Sequence, residues 1–153
     1  MPIHVETAIV KLLDERGIRH SDIEMVIAYV KETGNFFNNP LNGRRLAYHR
    51  PSTTTFWVEC EEQGGVCTIL SAYSHRMRIL EGLNTPANGK GEALDWVCAK
   101  CNIRLEQATV KLSYLDETFT ANIPACPSCQ RVFVSEKDAL EKMALAEKML
   151  EDK

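Results

Sequence analysis

The 153-residue sequence has no apolar run long enough to cross a bilayer, no glycine-rich phosphate loop, no internal repeat and no low-complexity tract. These absences set aside membrane spans, mononucleotide cradles of the common kind and solenoid architectures. Its opening stretch, MPIHVETAIVKLLDERG, brings Glu6, Asp14 and Glu15 into what would have to be the apolar part of a secretory leader, so neither a leader nor a membrane anchor is expected. A cytoplasmic, reducing setting is the corresponding expectation. An excess of one charge is lacking too: residues 1–82 carry 9 basic and 10 acidic side chains, and residues 83–153 carry 9 and 11. With a net charge of -3 and no stripe of alternating aromatic and basic residues, nucleic acid is not an expected partner. Neither a Ser/His/Asp spacing nor paired carboxylates in a glycine-framed loop is found, so no catalytic residue is assigned and enzyme activity is not expected.

What the sequence does have is six cysteines and a change of composition in mid-chain. The stretch EGLNTPANGKGEALD (81–95) holds three glycines, a proline and two asparagines and interrupts every apolar period, as a linker does. The expected organisation is an α+β domain at 1–80, the linker at 81–95, a four-cysteine ribbon at 96–134 and a terminal helix at 135–153.

In the first part, Val5, Ile9, Leu12 and Leu13 fall on one helical face that Gly17 ends, and Ile23, Val26, Ile27 and Val30 do the same before Gly34. Ser21 with Glu24 three residues on predicts a capping box for the second helix. Three β-like runs follow, near 44–50, 54–60 and 66–74, which predicts two helices on a three-stranded antiparallel meander. The turn EEQGG joins the second and third runs, and a two-residue loop at Gln63-Gly64 or at Gly64-Gly65 places Phe56, Val58, Cys60, Cys67 and Ile69 on one apolar face. In the first of these registers Cys60 and Cys67 stand directly opposite. They are either buried small core residues or a redox pair. The meander also places the ends of its first and third strands, AYHR and AYSHR, along one rim, so that His49, Arg50, His75 and Arg76 form a candidate surface for an anion or an acidic partner, or a plain solvated edge.

The second part carries WVCAKC and ACPSC, with 24 residues between Cys101 and Cys126. Two Cys-x-x-Cys pairs at this interval supply four sulfurs to one tetrahedral ion, making Cys98, Cys101, Cys126 and Cys129 candidate metal ligands. Zinc is the expected ion, with rubredoxin-type iron as the alternative, since CPSC is close to the second knuckle of rubredoxins. Asn102 and Gln130 stand where those proteins carry glycine after each pair. A thioredoxin-like dithiol fits poorly, because two such pairs sit here in β-turn surroundings without a βαβ pattern.

The segment from Trp96 to Phe133, WVCAKCN through ACPSCQRVF, resembles the zinc-ribbon class. With the helix after it, it is similar to small proteins of anaerobic bacteria with two Cys-x-x-Cys pairs, described as redox or accessory proteins linked to molybdenum-dependent aldehyde or xanthine oxidoreductases. The resemblance covers about the last 60 residues and implies a metal-binding β ribbon that serves a larger enzyme; only the four cysteines carry over. The terminal SEKDALEKMALAEKMLEDK predicts a helix capped by Ser135 and Asp138, with Leu140, Met143 and Leu150 along one side that packs on its own chain, docks a protein partner or pairs two copies as a homodimer. Two functions follow as expectations: a non-catalytic zinc-ribbon accessory protein, or a small electron-transfer protein using an iron site or the Cys60/Cys67 pair.

Overall fold

Backbone hydrogen bonding that sequence periodicity does not reveal organises the chain into two sheets. The structure is a computed structural model and describes residues 2–80, 82–87 and 95–152. Its elements in order are β1 (Ile3–His4), α1 (Thr7–Glu15), α2 (His20–Thr33), β2 (Phe37–Asn38), β3 (Arg44–His49), β4 (Thr55–Gln63), β5 (Val66–His75), β6 (Arg78–Ile79), β7 (Thr85–Pro86), β8 (Val97–Cys98), β9 (Ile103–Arg104), β10 (Glu106–Tyr114) and β11 (Glu117–Ala125). A π-helical segment, Asp138–Met143, then runs into α3 (Ala144–Glu151). Of the expected linker, residues 81 and 88–94 lie outside the described residues. Among the described residues no helix is long and apolar enough to cross a membrane.

The expected fold class is corrected by the sheet. In place of a domain built on a three-stranded antiparallel meander followed by a separate ribbon, the molecule is mostly β. A seven-stranded mixed sheet runs in the order β1-β5-β4-β3-β2-β8-β9. β1 adds in parallel to β5, and on the far side β2 bonds both to β3 and to β8, the strand that opens the first cysteine pair. β1, β2, β8 and β9 have two residues each, too few to show a period of two. A second sheet, in the order β11-β10-β6 with β7 also on β10, is built around the β10–β11 hairpin. That hairpin turns through Leu115 and Asp116 at φ 48 and 66, the left-handed pair that a two-residue hairpin turn requires.

The large sheet is buried on both faces. On one, Ala47, Val58, Cys60, Cys67 and Ile69 meet Leu13, Ile23 and Val26 of the helices. On the other, Trp57 and Tyr73 join Val110, Ile123, Val134 and Met143 in a larger core shared with the second sheet and the terminal helix. The Tyr73 hydroxyl donates to the Val134 carbonyl at 2.7 Å inside it. A bulge opposite Glu59/Cys60 reconciles the faces, because it leaves Leu70 unpaired and so lets Ile69 and Ala72 point the same way.

Local signals are met unevenly. Gly17 and Gly34 end their helices in the left-handed conformation, at φ 68 and 73. The capping box of α2 is not Ser21/Glu24: the helix starts two residues earlier, with Arg19 at the N-cap, and the Asp22 carboxylate accepts from the Arg19 amide at 2.9 Å. In the terminal helix the Ser135 hydroxyl accepts from the Asp138 amide at 3.1 Å. The packed face there is Ala139, Met143 and Glu147, whereas Leu140 is exposed, a rotation that follows from the wider π-helical turn.

Candidate metal centre

The four ribbon cysteines meet at the corner where the large sheet ends. Cys98 closes β8, and its partner across the turn is Ile103 of β9. The Asn102 amide donates to the Cys98 carbonyl at 2.7 Å, and the Leu105 amide donates to Trp96 at 3.0 Å. The second pair repeats this atom for atom. The Gln130 amide donates to the Cys126 carbonyl at 2.9 Å, the Phe133 amide to Pro124 at 2.8 Å, and Ala125 bridges Val132. Two equivalent knuckles therefore face each other, as a tetrahedral ion demands of a ribbon.

All four sulfurs lie within 4.8 Å of one another, and Cys98 Sγ is 3.7 Å from Cys129 Sγ. Metal–sulfur bonds of ~2.3 Å would put the sulfurs of a regular tetrahedron about 3.8 Å apart. The set can thus hold a metal ion with little movement. Cys98 and Cys126 are buried, while Cys101 and Cys129 are partly exposed. The Cys129 amide points at Cys126 Sγ at 3.5 Å, and the Cys101 amide stands in the same relation to Cys98. Burial pushes the Cys98 and Cys129 thiols up, Cys129 to about 12, while the Ser128 hydroxyl holds Cys101 below the ordinary thiol value. The protein alone does not ionise the whole set; a bound dication would, releasing protons as it entered.

Each knuckle needs a left-handed residue after its second cysteine, and Asn102 and Gln130 supply it at φ 56 and 68. Asparagine tolerates this, and glutamine is held there from outside. Asn84 donates its amide to Gln130 Oε1 at 3.0 Å and its side-chain NH2 to the Gln130 carbonyl at 2.9 Å. No sequence signal marked Asn84. Phe37 pairs with Cys98, the Ala99 amide donates to the Phe36 carbonyl at 2.9 Å, and Phe133 packs on Phe37 and Trp96 at 5.7 and 5.1 Å. The first knuckle is thus sewn onto the N-terminal sheet and the second continues β11 of the other.

The remaining predicted residues are dispersed. The turn between β4 and β5 uses Gly64-Gly65, both left-handed, so Cys60 faces Ile69 and Cys67 faces Glu62. The directly opposed register is therefore not adopted; the two cysteines are diagonal neighbours, buried and not joined by a disulfide. The rim residues divide between the two faces. His49 stacks on Tyr29 of α2 at 4.4 Å, on the helix side, whereas His75 is buried on the other side against Trp57. Arg50 and Arg76 stay together, with Arg50 donating to the carbonyls of Arg76 and Met77 at 3.0 and 3.3 Å and to Thr55 Oγ1 at 3.0 Å. The Arg76 guanidinium pairs with Glu147 at 3.2 Å and with Glu151, and lies over the Tyr114 ring. Buried Glu147 also accepts the Arg76 and Met77 amides, at 2.9 and 3.1 Å. A glutamate within a helix gives no sequence signal of such a role.

Residues 94–153 match the model of a domain of unknown function (DUF7479), which is less than half of the chain. The match carries no link to molybdenum enzymes. No curated protein and no solved structure matches the chain.

Proposed function

We propose that the chain is a non-catalytic accessory protein in which Cys98, Cys101, Cys126 and Cys129 hold one structural zinc ion and the terminal helix engages a protein partner. The observation that carries the reading is the pair of equivalent knuckles converging four sulfurs within 4.8 Å. A four-thiolate ion has no open position for a substrate or an activated water, so it serves folding rather than hydrolysis. Its place at the junction of β2 with β8 suits a staple between the two sheets. The partner surface is supported by Leu145 and Met149, one helical turn apart and 60% and 63% exposed. Beside them runs an apolar cleft of about 460 Å3 lined by Phe119, Ile123, Met143 and Ala146, between α3 and the β10–β11 hairpin.

The test is elemental analysis of the full chain purified without added metal. One zinc per chain and no visible thiolate absorption is the expected result; Cys98→Ser and Cys126→Ser should each abolish stoichiometric metal and lower the melting temperature. Stoichiometric iron with a visible thiolate band would instead establish the electron-transfer alternative, since tetrahedral sulfur accepts either ion.

A further inference from the structure

The metal centre leaves two sulfurs unused, and they sit in a built environment. Cys60 and Cys67 are 6% and 2% exposed, on the helix-covered face of the β4–β5 hairpin. The Gly64-Gly65 turn sets them diagonally on one face of the hairpin, with the Glu61–Thr68 pair between theirs. They are not sealed in. A cavity of about 50 Å3 reaches them, walled by Ile27 and Val30 of α2 and by Phe36. Arg45 also lines it: it lies 5.0 Å over the Phe36 ring, pairs with Glu62 at 2.5 Å and stands opposite Cys60 in the β3–β4 register.

The cavity selects by size. It has room for a few molecules of water dimensions, each needing roughly 10–15 Å3. Hydrogen peroxide fits this space, whereas a peptide disulfide does not. The two sulfurs are unequal. The neighbouring Cys60 thiol and then Arg45 favour ionisation at Cys67, whose pKa lies below the ordinary thiol value, while the neighbouring Cys67 and burial push Cys60 up against the same arginine. A thiolate with a second thiol beside it is the arrangement that reacts with peroxide and then resolves.

We propose that Cys60 and Cys67 are a peroxide-reactive thiol pair, with Cys67 as the attacking sulfur and Cys60 as the resolving one, independent of the metal centre. The Cys67 thiolate attacks one peroxide oxygen and the O–O bond breaks. The departing hydroxide takes the Cys60 proton and leaves as water, giving a sulfenic acid at Cys67 and a thiolate at Cys60. Cys60 then attacks the Cys67 sulfur, the S–O bond breaks and hydroxide departs. Two electrons pass from the thiol pair to peroxide, and an intrachain disulfide remains.

The sequence supplies a clean assay. Arg50 precedes Pro51 and resists trypsin, so cleavage after Arg45 and Arg76 gives a peptide, 46–76, that contains Cys60 and Cys67 and none of the ribbon cysteines. The full-length, metal-loaded protein is treated with hydrogen peroxide, alkylated, digested and weighed. The expected product is this peptide lighter by two hydrogen atoms, without alkyl groups and restored by dithiothreitol. In Cys60→Ser, dimedone should label Cys67, and in Cys67→Ser the modification rate at Cys60 should fall about tenfold or more. The proposal is overturned if both thiols remain alkylatable at a peroxide dose that already displaces metal from the ribbon, or if the two serine variants label equally. Wild type alone decides whether the pair oxidises, so a variant that misfolds leaves the test intact; the metal content of the same sample reports separately on the ribbon.

Discussion

His75 offers the sharpest quantitative expectation, because its tautomer is fixed by its partners. The Trp57 indole N–H donates to His75 Nε2 at 3.0 Å, so that nitrogen must be an unprotonated acceptor. Nδ1 therefore carries the proton and donates to the Met77 carbonyl at 2.8 Å. The ring is 3% exposed. Protonating Nε2 would break the Trp57 bond and bury a charge, and burial, with some help from Arg50, lowers the pKa from 6.5 to about 4 despite the favourable Met77 carbonyl. In the unfolded chain the imidazole titrates near its ordinary value, so between that value and about 4 the unfolded state binds the extra proton. His75 thus contributes stability that is complete above about pH 6.5 and is lost as the pH falls through that window, at ~1.4 kcal/mol per pH unit. From about pH 7 to about pH 5 the loss is roughly 2 kcal/mol, a sizeable part of a typical 5–15 kcal/mol. His75→Gln keeps a donor and an acceptor but cannot titrate. Urea denaturation of both metal-loaded proteins at the two pH values isolates the effect, since carboxylates and ribbon thiolates are common to both and cancel. Wild type should lose about 2 kcal/mol more than the variant on acidification. A difference that does not change with pH, or a folded-state imidazole that titrates near 6.5 by NMR, would refute the tautomer argument.

Two further expectations concern groups that the sequence did not mark. Asn84→Ala should cost about 1 kcal/mol in urea denaturation, because it removes the side-chain bond to the Gln130 carbonyl and leaves only the backbone amide of residue 84 on Gln130 Oε1; in that background Gln130→Gly should regain about 1 kcal/mol, and additivity of the two changes would show that no such coupling exists. Glu147→Gln should destabilise by about 2 kcal/mol, since a buried acceptor of two amides and a guanidinium is exchanged for an amide with one acceptor oxygen, and an unchanged denaturation midpoint would show that the Arg76 and Met77 amides are satisfied otherwise.

How much could be read in advance follows the range of the interaction concerned. The runs at 44–50, 54–60 and 66–74 became Arg44–His49, Thr55–Gln63 and Val66–His75, because alternation over six or more residues is written in the chain itself. The cysteine pairs were visible for a related reason: two ligands on one turn must be close in sequence. The hairpin register was decidable as well. A two-residue turn with both residues left-handed suits Gly64-Gly65 and penalises glutamine, so the placement of Cys60 against Ile69 follows from the glycines. The strands that widen the large sheet beyond the three long ones were not legible, since β1 and β2 are two residues long and take their identity from β5, β3 and β8. Trp57 and Tyr73 alternate correctly with Val58 and Ala72, yet that pattern says only that a strand has two apolar faces. It does not say that the second face receives the other sheet.

The same distinction bears on what the metal would hold together. The Trp57 core draws on long strands from both sheets, on the Tyr73 hydroxyl and on the terminal helix, so its packing is redundant. The contact of Arg16 with Glu136 at 2.6 Å also spans the chain, but with Glu136 44% exposed it adds little by itself. The knuckles have no such redundancy. β8 and β9 contribute two residues each at the end of the large sheet, and Gln130 relies on Asn84 to keep a conformation that its own side chain disfavours. Short strands and left-handed turns of this kind cannot supply their own ordering free energy. Four sulfurs on one ion would supply it where the chain is weakest, and a bound ion would make the end of the seven-stranded sheet, rather than the core behind it, the metal-dependent part of the fold.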